Sequence, residues 1–189
     1  MIRGALVSVL VLICTTIANE TAYSGHGRYS LAPEQIADGV YVFWGQQEPL
    51  TSQNGGNIVN TGFIVGRSSV LVIDTGPTQH YADEMIEAIR TITDLPIRNA
   101  IVTHHHPDHS FGIQRFKKNN TNVYMHTDST SLLASEGPAL LGFLELLIGV
   151  NWTTGTNIDK PTHNTSTIRS IDIGERVVKI LPFIGGHTP

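Results

Sequence analysis

Apolar and polar positions change period several times along the chain, and each change predicts an element. The runs GVYVFWG (39–45), TGFIVG (61–66) and SVLVID (69–74) are short and rich in β-branched and aromatic residues, as strands are. GRSS joins the last two as a turn, and the polar loop QQEPLTSQNGGN separates the first two. After DTGPT the period lengthens. QHYADEMIEAIRTIT sets Met85, Ile86, Ile89 and Ile92 on one stripe with charges opposite, which predicts an amphipathic helix with Pro96 beyond its end. Strands return at IRNAIVTH (97–104) and NVYMH (122–126). The order β-β-α-β-α-β predicts a layered α/β (α+β) domain with a mixed sheet. Further on, STSLLASEGPALLGFLELLIGV predicts two helical pieces broken around Gly137 and Pro138. The apolar piece from Ala139 to Val150 is too short for a bilayer and contains Glu145, so it reads as a core helix or a lid over a site. STIRSIDIGERVVKILPF predicts a hairpin with Gly174 in its turn.

The N-terminus follows another pattern. MIRGALVSVLVLICTTIA has one positive charge at Arg3, an apolar run from Ala5 to Ile13, then small residues around Thr16 and Ala18. This is the layout of a secretory signal peptide over residues 1–18, and it predicts a periplasmic or secreted protein with no stable membrane span after cleavage. Residues 19–35, polar and glycine-containing, read as a mobile leader, and 36–189 as the domain. Cys14 is the only cysteine, so the mature chain offers neither a disulfide nor a thiolate ligand. A net charge of −4, with Lys117 and Lys118 the only adjacent basic pair, leaves no electrostatic footprint for nucleic acid.

The chemistry concentrates in IVTHHHPDHSFG (101–112), which holds four of the nine histidines. Read as a strand, it alternates faces: His104 and His106 point one way with Val102, and His105 the other. Pro107 keeps His106 extended and turns the chain, so that Asp108 and His109 arrive at a helix start. The pattern His-x-His-x-Asp-His gathers three imidazoles and a carboxylate at one strand-to-helix junction. That donor set suits zinc, while iron and manganese fit the chemistry as well.

THHHPDHSFG resembles the signature of the metallo-β-lactamase superfamily of zinc metallohydrolases, whose fold is an αββα sandwich. VLVIDTG (70–76) looks like the family's strand ending in Asp-x-Gly, and GGHTP resembles the segment bearing a third histidine. NGGNIVNTGFIVG, TDLPIRNAIVTHHHPDHSFG and the EGP helix look most like the quinoprotein-relay branch. The resemblance covers about residues 35 to 189. It implies that His104, His106 and His187 hold one zinc, that Asp108 and His109 contribute to a second, and that Asp74 stands behind the ligands and orients them. The implied reaction is hydrolysis of a small-molecule ester, thioester, lactone or lactam. In it zinc lowers the pKa of bound water to about 7, hydroxide attacks the carbonyl, and Asp108 orients the nucleophile.

The family also has an Asp or Cys and a further histidine after the third ligand, and the sequence stops two residues past His187. The expectation is therefore a fragment supplying roughly the first half of the sandwich, with one sheet face left without its partner layer and weak metal binding alone. Two other functions would use the same histidines: a non-enzymatic periplasmic metal-binding accessory protein, and a di-iron redox relative.

Overall fold

The computed structural model describes residues 27–183 and 186–188, so the signal-peptide reading, Cys14 and the first part of the leader lie outside the described residues. One seven-stranded sheet dominates. Its strands are β1 (Glu34–Ala37), β2 (Val40–Phe43), β3 (Thr61–Val65), β4 (Val70–Ile73), β5 (Ile97–Ile101), β6 (Asn122–His126) and β7 (His163–Thr165), in that spatial order. The pairs from β1 to β4 are antiparallel and those from β4 to β7 parallel, which makes the mixed sheet expected. Parallel neighbours need crossovers. These carry α1 (Gln79–Arg90), α2 (Pro107–Ser110), α3 (Ile113–Lys118), α4 (Thr127–Ile148) and α5 (Val150–Thr153). The carboxyl ends of β4, β5 and β6 consequently open on one edge, where α/β sheets place their sites.

β4 shows why its sequence is apolar throughout. Val70 and Val72 join the helix-side core with Phe63, Ala100, Val123, Tyr81, Met85 and Phe116. Leu71 and Ile73 face the other way, into a cluster with Tyr124, Ile171, Ile173 and Val178. That second cluster is closed by the predicted hairpin, β8 (Arg169–Asp172) with β9 (Val177–Ile180), and Gly174 in its turn has φ 93°. A strand buried on both faces has no polar side to show.

α1 is capped by Thr78, whose side chain accepts from the Tyr81 N–H, and it buries Met85, Ile86 and Ile89. Ile92 lies past the helix end and is exposed, so the apolar stripe is one residue shorter than the sequence suggests. Glu84, on the nominally polar side, is buried. It accepts from the N–H groups of Tyr29 (2.8 Å) and Ser30 (2.9 Å) and pairs with His80 at 3.1 Å. Tyr29 also donates to the Gly55 carbonyl at 2.8 Å and packs 4.5 Å from the Trp152 ring. The described end of the leader is thus bound to the domain by backbone hydrogen bonds that its polarity did not reveal.

α4 corrects a second expectation. It is one 22-residue helix with Pro138 inside it. Proline removes a backbone hydrogen bond there. Buried Ser129, Thr130, Leu133 and Gly137 before it, and Leu144 and Ile148 after it, anchor both halves, and tertiary packing outweighs the local break. At this length α4 is long and apolar enough to cross a membrane, by length and composition only. The argument from shortness therefore does not hold. Phe143, Leu146 and Leu147 form an exposed stripe at helical spacing along its end.

Candidate metal centre

The site is built where β4 and β5 end. Asp74 follows β4 with φ 59°, its N–H bonded to the Ile101 carbonyl at 2.8 Å. Aspartate tolerates this left-handed conformation better than most residues, and the bend turns its carboxylate toward the neighbouring loop. β5 stops at Ile101, earlier than the sequence pattern suggests, and residues 104–106 form a bend. Pro107 occupies the first turn of α2, and His106 before it is extended (φ −59°, ψ 149°), as its place before proline demands.

Backbone bonds fix this loop against β4. Thr75 donates both its N–H (2.8 Å) and its hydroxyl (3.0 Å) to the His109 carbonyl. Ser110 Oγ bonds to the carbonyls of His105 and His106, each at 2.9 Å. Gly112 passes so close to β4 that a Cβ there would lie 2.1 Å from the Thr75 carbonyl oxygen.

His104, His106 and His187 converge, with one ligand nitrogen from each lying within 4.8 Å of the others. The Nε2 atoms of His104 and His187 are 3.2 Å apart. Two imidazole nitrogens bound tetrahedrally to one zinc at about 2.0–2.1 Å would be about 3.3 Å apart, so the spacing and the all-nitrogen donor set fit that ion. His105 stays out of the cluster. It is buried, with Nε2 3.3 Å from Glu136 and Nδ1 without a partner. The separation of His105 from its neighbours holds as the alternation predicted, although a bend and not a strand produces it.

Asp74 organises the remainder. Its Oδ2 accepts from His109 Nδ1 at 2.8 Å, and its Oδ1 accepts from the Thr103 N–H at 2.8 Å and the Thr103 hydroxyl at 3.0 Å. With the hydroxyl proton committed to the carboxylate, Thr103 Oγ1 is left to accept from His104 Nδ1, 3.0 Å away. When neutral, both imidazoles therefore carry their proton on Nδ1 and keep a lone pair on Nε2. For His109 that Nε2 faces Asp108, at 3.5 Å from Oδ2. Asp108 and His109 thus form a second donor pair beside the three-histidine group, with the His104 and His109 rings 4.0 Å apart.

Electrostatics agree with this division. Burial, followed by the neighbouring His109, His106, His187 and His105, pushes the His104 pKa down to about 3. His106 is lowered by burial and then by His105 and His187. Burial also works against a charged His109, but the hydrogen bond and charge of Asp74, with Asp108, outweigh it and raise its pKa. Neutral imidazoles at 104 and 106 are ready ligands.

Thr103 and His126 were not singled out by the sequence. Thr103 precedes the histidine run directly, and a hydroxyl at the end of an apolar strand was the available signal. His126 ends the next strand, level with Thr165 of β7, and faces the same cavity as His104 and His187. Its only signal was its place at a strand's carboxyl end.

Residues 54–189 match the Metallo-beta-lactamase superfamily. A hydroxyacylglutathione hydrolase of Shewanella halifaxensis (strain HAW-EB4) is 28% identical over 120 residues, which are 64% of this chain and 37% of that protein. The chain thus spans a little over a third of the length of this relative. Among solved structures, a metallo-beta-lactamase from Pontibacter korlensis superposes with TM-score 0.58 at 15% identity, covering 79% of this chain and 59% of that one. TMB-1 superposes with TM-score 0.53 at 16% identity, covering 75% and 55%. At such identities the structural likeness speaks for the fold.

Proposed function

The chain belongs to the metallo-β-lactamase superfamily, and from that premise we propose that it is an exported zinc-dependent hydrolase of a small carbonyl substrate, with thioesters the first class to try. The observation that carries this reading is the convergence of three imidazole nitrogens, with His104 set in its tautomer through Thr103 and Asp74. His104, His106 and His187 would hold one zinc, and Asp108 with His109 would contribute to a second. When bound, zinc lowers the pKa of a water ligand to about 7 and polarises a carbonyl.

The protein's own groups do the positioning. Asp74 holds His109 by Nδ1 and keeps Nε2 turned to Asp108. Thr103 passes the same orientation to His104. Asp108, at the N-terminus of α2 and partly open to solvent, is the carboxylate placed to orient a water and take its proton. The thioester preference is supported by the hydroxyacylglutathione hydrolase relative. Export rests on residues 1–18, and the likeness to the quinoprotein-relay branch on runs such as NGGNIVNTGFIVG.

The test is zinc analysis of the purified protein with a hydrolysis panel of thioesters, lactones and β-lactams, and His104→Ala as control. Turnover that this substitution does not diminish would refute the assignment. Tight zinc without turnover would instead favour a metal-binding accessory protein, and iron a redox relative.

A further inference from the structure

The described end of the leader is held at two points. The first is Glu84 of α1, which is buried. Its two carboxylate oxygens accept from consecutive N–H groups, Oε1 from Tyr29 at 2.8 Å and Oε2 from Ser30 at 2.9 Å. Successive N–H groups that converge on one anion require a sharp turn of the backbone. Ser30 supplies it with φ 53°, a left-handed conformation that residues other than glycine keep only where their surroundings impose it. Here the carboxylate imposes it. Just before this turn, the Gly27 carbonyl lies 2.9 Å from His80 Nε2, and a Cβ on Gly27 would come within 2.2 Å of the Trp152 ring.

The second point is the Tyr29 side chain. Its hydroxyl donates to the Gly55 carbonyl at 2.8 Å and sits 2.9 Å from Thr78 Oγ1, which itself accepts from the Tyr81 N–H at 3.0 Å. With the tyrosine proton committed to Gly55, the Thr78 hydroxyl donates to Tyr29. The bonds thus run in one direction, from the N-cap of α1 through Tyr29 into the 51–57 loop. That loop also touches Pro77, whose Cβ is 3.2 Å from where a side chain on Gly56 would begin. It precedes β3, and Gly62 pairs with Ile73, so the loop leaves the sheet at the edge where β4 ends and the histidines converge.

We propose that residues 27–31 are a strap that locks the 51–57 loop against the start of α1 at this edge, with Tyr29 as the tie, so that strap and loop open together as one local unit. The device is independent of the hydrolase reading, and its measurement needs no turnover.

The experiment is hydrogen–deuterium exchange of the purified full chain in wild type, Tyr29→Phe, Gly27→Ala and Ser30→Gly. Phenylalanine keeps the ring against Trp152 and removes only the hydroxyl. Alanine at 27 lifts the strap from that ring, and glycine at 30 adopts the left-handed turn without strain. The amides of Gly55, Asn57 and Ile58 are hydrogen-bonded within the loop and report its opening. Their exchange is expected to accelerate about 2–10-fold in Tyr29→Phe, the worth of one hydrogen bond between neutral groups. In Gly27→Ala the strap amides of Tyr29 and Ser30 should accelerate together with those of the loop. The amides of β4 and β5 should stay within about 2-fold of wild type, as local opening requires. Ser30→Gly should leave the loop at the wild-type rate or slower. Loop exchange unchanged in either Tyr29→Phe or Gly27→Ala, acceleration spread equally over β4 and β5, or a loop as fast in Ser30→Gly as in Tyr29→Phe would each overturn the strap.

Discussion

Asp74 Oδ2 lies 2.8 Å from Nδ1 of His109, and this contact joins the end of β4 to the helix that carries the second donor pair. The same carboxylate reaches His104 through the Thr103 hydroxyl, so one buried group sets the proton positions of two candidate ligands.

Substitution of that carboxylate should act on the metal more than on the fold. Asparagine tolerates the left-handed conformation at position 74, so Asp74→Asn keeps the backbone while removing the charge. Zinc affinity is expected to fall by about 10–100-fold, the usual effect of losing such a supporting partner. Competitive chelator titration reads the affinity, and a thermal melt of the metal-free protein reads the fold. A large loss of metal-free stability with unchanged affinity would count against the role given to Asp74.

Adjacent histidines should behave oppositely. His104→Ala removes a donor from the cluster, and stoichiometric zinc binding should be lost. His105→Ala should keep zinc but leave a gap where the buried ring sat, lowering unfolding free energy by about 0.5–3 kcal/mol through lost packing. Metal analysis and urea titration of the two variants side by side separate these effects. Zinc loss in His105→Ala would contradict the geometry.

The His80–Glu84 pair predicts a pH window. The hydrogen bond that His80 donates to Glu84 outweighs burial and raises the His80 pKa above 6.5. Its stabilisation is therefore complete below 6.5 and lost as pH rises through the raised value. Burial opposes ionisation of Glu84, yet His80 and the Tyr29 and Ser30 N–H groups lower its pKa below 4.5. Its stabilisation is present above 4.5 and lost as pH falls through the lowered value. The stability difference between wild type and Glu84→Gln should thus be largest between pH 4.5 and 6.5 and narrow on both sides. A difference that stays flat from pH 4 to 9 in urea unfolding would show that the pair is not coupled as described.

Trp152 should be the largest single contributor on the surface facing the leader. It packs on Tyr29 and donates to the Ser52 carbonyl at 2.9 Å, and a Cβ at Gly55 would lie 2.5 Å from its ring. Trp152→Ala is expected to cost about 3–5 kcal/mol. Limited proteolysis should then cut first within the 51–57 loop and near residue 29, since both lose the same partner.

Period and punctuation made most of the sheet readable. β3, β4 and β6 fall where β-branched and aromatic runs lie, α1 where the stripe of Met85, Ile86 and Ile89 lies, and the hairpin around Gly174. His104, His106, Asp108 and His109 were legible because donors within six consecutive positions need little tertiary information to be recognised together, whereas His187, 83 positions from His104, was reached through the family resemblance. What stayed hidden depended on distant partners. Glu84 looked like a solvent-facing charge until the Tyr29 and Ser30 backbone was brought to it, across 54 or more positions of sequence. Pro138 looked like a helix end because the close approach of Ile158 to buried Gly137, one residue before it, is invisible locally. Thr103 and His126 each needed a neighbouring strand to show what they face.

Gly112 and Thr75 set a limit on how far this site can be rebuilt. With the Thr75 carbonyl 2.1 Å from where any side chain at 112 would begin, the descent from the histidine loop into α3 has a single height above the sheet. A library that randomises the exposed parts of the motif can sample chemistry freely. One that includes position 112 should return almost only glycine, because any larger residue lifts the loop and changes the separation between the two donor groups.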